Sequence, residues 1–103
     1  MAGPLHHLKI IELGHVIAGP LSAALLSDFG ADVIKIESPN RTEMMRDLGP
    51  KAEEGVGVWW KTLGRNKKTL SLNWKSDEGR DVLRKLVEGA DVLVENFRPG
   101  VLE

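Results

Sequence analysis

Apolar positions along this chain recur with two different periods. Lys9-Ile10-Ile11-Glu12-Leu13 is a short β-branched run, Leu21 to Phe29 is apolar at helical spacing, and Ala31-Asp32-Val33-Ile34-Lys35-Ile36 is strand-like again. The pattern predicts a βαβ unit between Lys9 and Glu37, with a tight turn at Gly14-His15-Val16-Ile17-Ala18-Gly19-Pro20. Pro20 suits the first helical turn, where its missing N–H leaves no bond unmade, and Gly30 stands where a left-handed residue ends a helix. The helix then starts at the carboxyl end of the first strand. In open α/β sheets ligands bind there, because a helix N-terminus offers free N–H groups and partial positive charge.

From Ser38 to Asn66 the periodicity fades. Pro39, Gly49-Pro50, Gly55, Gly57 and Gly64 punctuate a long connection in which Arg41 to Leu48 has room for one or two helical turns. Thr69 to Trp74 alternates as a half-buried strand does. Ser76 reads as an N-cap with Asp77 and Glu78 in the first turn, Val82, Leu83, Leu86 and Val87 form an apolar stripe, and Gly89 ends the helix. Asp91 to Glu95 is the next strand, and Asn96-Phe97-Arg98-Pro99-Gly100 its exit turn. The expected fold class is α/β, with Rossmann-like βαβ units and a mostly parallel sheet. An exit turn of this kind leads into another crossover, so residues 1–103 are expected to be a fragment, or a domain that another chain covers.

Composition narrows the function classes. The 103 residues suffice for one modest domain. A formal net charge of −1 argues against a general nucleic-acid binder. The absence of cysteine removes disulfides, thiolate metal sites and cysteine nucleophiles. No apolar run approaches the roughly 18 residues of a membrane span, and there is no signal-peptide core, so a soluble, cytoplasmic protein is expected.

Candidate chemistry is concentrated in a few places. His6-His7 are adjacent and point apart, which disfavours a metal pair. His15 lies in the turn after the first strand, where it either meets a ligand or shapes the turn. Gly14, Gly19 and Glu37 stand where a dinucleotide fingerprint has its first and third glycines and its ribose-binding acid, but Val16 replaces the middle glycine and opposes an NAD site. Trp59-Trp60 needs covering, or stacks on a base. Arg65, Lys67, Lys68 and Lys75 form either a solvated face or a positive field for an anionic phosphate ligand.

Four separated blocks, in one order, resemble the N-terminal portion of the family III CoA-transferases. They are Leu8 to Leu13 with His15-Val16-Ile17-Ala18-Gly19-Pro20; Leu26 with Phe29 to Glu37; Asn66-Lys67-Lys68-Thr69-Leu70-Ser71-Leu72 with Lys75 and Glu78-Gly79; and Ala90 to Gly100. The family it resembles includes formyl-CoA, carnitine-CoA and succinyl-CoA transferases and, more distantly, α-methylacyl-CoA racemase. The resemblance implies a Rossmann-like CoA-binding segment of an interlocked homodimer. It implies CoA contacts from Ile17 and Ala18, Ser38, Leu72, Asn73, Trp74 and Lys75, and Asn96, Phe97 and Arg98. Lys75 and Arg98 then pair with phosphates, while Leu72 to Trp74 and Phe97 flank the adenine. Ile17 and Ser38 stand where the formyl-CoA branch has glutamine and arginine, which points to a different substrate.

The implied reaction moves CoA from an acyl-CoA to a small carboxylic acid through an aspartyl intermediate, with no tightly bound cofactor, no metal, and the catalytic aspartate beyond Glu103. Racemization, an NAD-binding fragment and a non-catalytic interaction module are the alternatives. The long stretch from Ser38 to Asn66 argues against the racemase, and Val16 against NAD.

Overall fold

The computed structural model describes residues 3–41, 43–47, 49–51, 55 and 57–102. Strand β1 (Lys9–Glu12) leads through helix α1 (Ala18–Asp28) to β2 (Asp32–Glu37). A 3-10 turn (Met44–Arg46) and a short helix α2 (Val58–Leu63) follow, then β3 (Lys67–Ser71), α3 (Asp77–Glu88) and β4 (Val92–Val94). The strands form one sheet in the order β3-β2-β1-β4, and every neighbouring pair is parallel. This is the α/β architecture that the sequence pattern predicts.

Strand β1 lies between β2 and β4, with Ile10 opposite both Val33 and Val92. Because side chains alternate across a strand, its two isoleucines feed different cores. Ile10 packs with Ala23, Ala31 and Val33 on the α1 face, and Ile11 packs with Leu13, Ile36 and Leu83 on the α3 face. The chain moves outward from β1 to β2 to β3, then returns through α3 to β4 on the other side of β1. The strand order therefore reverses between β1 and β4, and a crevice opens there at the carboxyl ends of the strands.

Helix signals act largely as expected. Pro20 lies in the first turn of α1, two residues after its start. Gly30 has φ +100°, and the N–H groups of Gly30 and Ala31 return to the carbonyls of Ser27 and Leu26. The Ser76 hydroxyl accepts the Gly79 N–H at 3.0 Å and caps α3.

Two expectations are corrected. Strand β3 runs from Lys67 to Ser71, earlier than the Thr69 to Trp74 alternation predicts, and as an edge strand it is mostly exposed. Leu72 already belongs to the loop, half-buried against the α3-side core. The long connection holds the 3-10 turn within the expected Arg41 to Leu48 segment, and also α2, which the pattern did not predict. Trp59 and Trp60 sit on α2, with Trp60 covered by the Arg46 guanidinium 3.9 Å from its ring centroid and Trp59 largely exposed. Among the described residues no helix is long and apolar enough to cross a membrane.

Candidate functional site at the strand carboxyl ends

The turn from Gly14 to Ile17 occupies the crevice between β1 and β4. A Cβ at Gly14 would stand 2.8 Å from the Gly19 Cα and 2.9 Å from Asn96 Oδ1, so glycine is needed for close packing of the helix start against the strand end. Asn96 reaches across from the β4 exit: its Oδ1 accepts the His15 N–H at 2.8 Å and its Nδ2 donates to the His15 carbonyl at 2.9 Å. Val16 has φ 65°, an uncommon conformation for a β-branched residue. Its N–H donates to Glu43 Oε1 at 2.7 Å.

Beneath this turn lies a buried network of charges. Lys35 Nζ lies 2.5 Å from Glu12 Oε2 and 3.1 Å from Glu43 Oε2, and donates to the Gly14 carbonyl at 3.0 Å. Lys67 Nζ lies 2.6 Å from Glu12 Oε1 and donates to the Pro20 carbonyl at 2.8 Å. Two carboxylates thus balance two ammonium groups. Burial pushes the Lys67 ammonium below its ordinary value although Glu12 opposes it. Burial opposes ionisation of Glu43, but the Lys35 charge, the Val16 N–H and His15 outweigh it and hold the carboxyl below its usual range. Glu43 therefore contributes stability that is fully present above its ordinary unfolded value and is lost as pH falls through its lower folded value. Urea midpoints of wild type and Glu43→Gln, measured from neutral pH downward, are expected to converge in acid. Parallel curves would refute this.

Above the turn is a cleft of about 540 Å³. Leu13 and Ile36 lie at its base, His15, Val16 and Phe97 line one part, and Ser38, Asn73, Trp74 and Lys75 another. His15 is partly exposed, with Nδ1 3.3 Å from Glu43 Oε2 and its ring against Phe97 at 5.3 Å between centroids. Phe97 in turn touches Trp74, at 5.6 Å. The three rings form a row. Trp74 and Phe97 leave no gap for a base between them, so a flat group would stack on the outer surface of the row.

Of the residues predicted to form a site, Ser38, Asn73, Trp74, Lys75 and Phe97 meet in this cleft. Ile17 instead faces a separate apolar hollow with Val58, Trp59, Thr62 and Leu63. Ala18 is the exposed first residue of α1, Leu72 turns into the core, Asn96 is engaged by the His15 backbone, and Arg98 is exposed in the β4 exit turn. Of the two readings of the basic cluster, the joint positive field is not formed. Arg65 pairs with Asp28, Lys67 with Glu12 and Lys68 with Asp32, which leaves Lys75 alone of those four beside the cleft with no ion pair among the described residues. Arg41 also lines the cleft and was not singled out from the sequence, where one cation in a loop carries no periodic signal. Glu43 was missed for a similar reason: the cleft-lining residues it holds, Val16 and His15, lie 27 and 28 residues away. Among the described residues no group of three or more His, Asp or Glu is placed to hold a metal ion.

The chain is similar to known proteins over nearly its whole length. Residues 5–103 match the profile of CoA-transferase family III. The chain is 43% identical over 100 residues to the succinyl-CoA–D-citramalate CoA-transferase of Chloroflexus aurantiacus, covering 97% of this chain and 25% of that protein. It is 38% identical over 103 residues to the formyl-CoA:oxalate CoA-transferase of Afipia carboxidovorans, covering 24% of it. A crystal structure of a CAIB/BAIF family protein from Brucella suis superposes with a TM-score of 0.88 at 38% identity, over 99% of this chain and 28% of that one. The chain thus spans about a quarter of the length of these relatives. With a family profile matched over nearly all its residues, the chain belongs to CoA-transferase family III.

Proposed function

We propose that this chain is the CoA-binding portion of an enzyme that moves CoA from an acyl-CoA thioester to a small carboxylic acid. The observation that carries this reading is the meeting of Ser38, Asn73, Trp74, Lys75 and Phe97, from three loops far apart in sequence, in one cleft at the reversal point of the sheet. CoA is here a substrate and not a resident cofactor. Lys75 and Arg98, with no ion pair among the described residues, pair with its phosphates, and the Trp74–Phe97 row receives the adenine. Ile17 and Ala18 form the lip over which the pantetheine arm passes. The hollow beside Ile17, lined mostly by apolar surface of Val58, Trp59 and Leu63, supports an acyl group other than formyl or oxalyl, since the Thr62 hydroxyl there already donates to the Val58 carbonyl at 3.2 Å.

None of the aspartates here is offered as the nucleophile. Asp28, Asp32, Asp47, Asp77 and Asp81 each face a basic side chain, and Asp91 accepts the Lys9 N–H. As the family resemblance implies, the aspartyl intermediate is proposed to form on a residue beyond Glu103. The interlocked homodimer and a cytoplasmic setting belong to the same proposal, and the dimer is supported by exposed apolar side chains such as Leu25 and Trp59.

Isothermal titration tests the reading. CoA is expected to bind more tightly than 3′-dephospho-CoA or NADH, with Lys75→Ala and Arg98→Ala each weakening it about tenfold, the scale of one charge-assisted hydrogen bond. Equal affinity for NADH, or no response to either substitution, would remove the proposed site.

A further inference from the structure

Four backbone groups of the turn between β1 and α1 are held by side chains. Lys35 takes the Gly14 carbonyl, Asn96 takes both the N–H and the carbonyl of His15, and Glu43 takes the N–H of Val16. The last bond differs from the others, because Val16 is the residue with the left-handed backbone, and a β-branched side chain resists that conformation. The Glu43 side chain is fully buried, and its second oxygen faces the His15 ring at 3.3 Å and Lys35 at 3.1 Å. One carboxylate from the β2–α2 connection thus fixes both the backbone and the ring of consecutive residues that line the cleft.

We propose that Glu43 is a positioning residue for substrate binding: by gripping Val16 and His15 it holds the turn between β1 and α1 in the strained form that shapes the cleft and aims the start of α1 at the ligand. Without it, Val16 relaxes toward an ordinary negative φ, and the lip at Ile17 and Ala18 moves with it. This inference rests on the CoA-binding reading above, but its structural half can be read without any ligand.

The experiment compares wild type, Glu43→Gln and the double variant Glu43→Gln/Val16→Gly. Hydrogen exchange at the Val16 amide reports the grip, CoA titration reports the site, and circular dichroism reports the fold. In Glu43→Gln the Val16 amide is expected to exchange at least about tenfold faster and CoA to bind about tenfold more weakly, the scale of one charge-assisted bond. Glycine takes positive φ without strain, so the double variant is expected to recover most of the lost affinity. A role confined to core stability predicts the opposite, since a further glycine only loosens the chain. Wild-type protection and affinity in Glu43→Gln, or no recovery in the double variant, would overturn the proposal. If the glutamine variant does not fold, Glu43→Asp keeps the buried charge and shortens its reach, and the same two losses are expected there; wild-type values in that variant would refute the inference. Failure of wild type to bind CoA would sink the functional reading, while Val16 exchange still decides whether Glu43 holds the turn.

Discussion

Glu12→Ala is expected to destabilise the chain severely, by about 3–5 kcal/mol. Glu12 is fully buried, with one oxygen on Lys35 and the other on Lys67, and these lysine side chains are 1% and 0% exposed. Its removal leaves Lys35 facing Glu43 and, among the described residues, leaves Lys67 with the Pro20 carbonyl and no ion pair. Breaking a buried ion pair from one side costs about 3–5 kcal/mol. Stabilities of roughly 0.05–0.15 kcal/mol per residue leave little margin for such a loss in a chain of this size. The check is urea unfolding followed by circular dichroism. A second variant separates charge imbalance from lost packing: Glu12→Gln/Lys67→Met removes one charge of each sign and leaves Glu43 and Lys35 balanced, so it is expected to regain much of the midpoint. A wild-type midpoint in Glu12→Ala would show that the network adds nothing to stability.

Gly79→Ala is expected to damage both the fold and the site. In most helix positions alanine is better than glycine by up to about 1 kcal/mol, since glycine loses more backbone entropy. At position 79 the added Cβ would run into the Asn73 carbonyl oxygen and come within 2.9 Å of the Ser76 hydroxyl that caps the helix. The obstacle is backbone, so the Asn73 to Lys75 loop must move. Overpacking of this kind costs about 1–3 kcal/mol. The variant is therefore expected to melt lower and to bind CoA more weakly, because Asn73, Trp74 and Lys75 line the cleft. Gly89→Ala is the internal comparison. Gly89 has φ −88° and nothing within 3.8 Å of the added carbon, so that change should be neutral or slightly stabilising. Equal melting of the two variants would contradict the account of Gly79.

The elements whose signals are local were legible in the chain. The N-cap at Ser76, the stop at Gly30, the β-branched run in β1 and the apolar stripe of α3 depend on neighbours within a few residues, and so the βαβ order could be read directly. Edges and charges were not legible in this way. The alternation after Thr69 predicts a half-buried strand, yet strand boundaries depend on the partner: Lys67 pairs with Val33 and Ser71 with Glu37, which starts β3 earlier and leaves it at the edge of the sheet. Arg65, Lys67 and Lys68 look like a positive field because their counter-charges are far away in sequence, at Asp28, Glu12 and Asp32.

The same division holds for the site. The resemblance of four ordered blocks to one family named Ser38, Asn73, Trp74, Lys75 and Phe97, of which charge pattern alone singled out Lys75; all lie at strand exits, where a parallel sheet brings loop ends together. Their convergence in one cleft, the diversion of Ile17 to a separate hollow, and the hold of Glu43 on Val16 were decided only by the tertiary structure. Sequence determines where the chain turns and which face is apolar, because those depend on backbone sterics and side-chain period. Which charges neutralise each other, and which turn is held under strain, depends on distances between residues that only folding brings close.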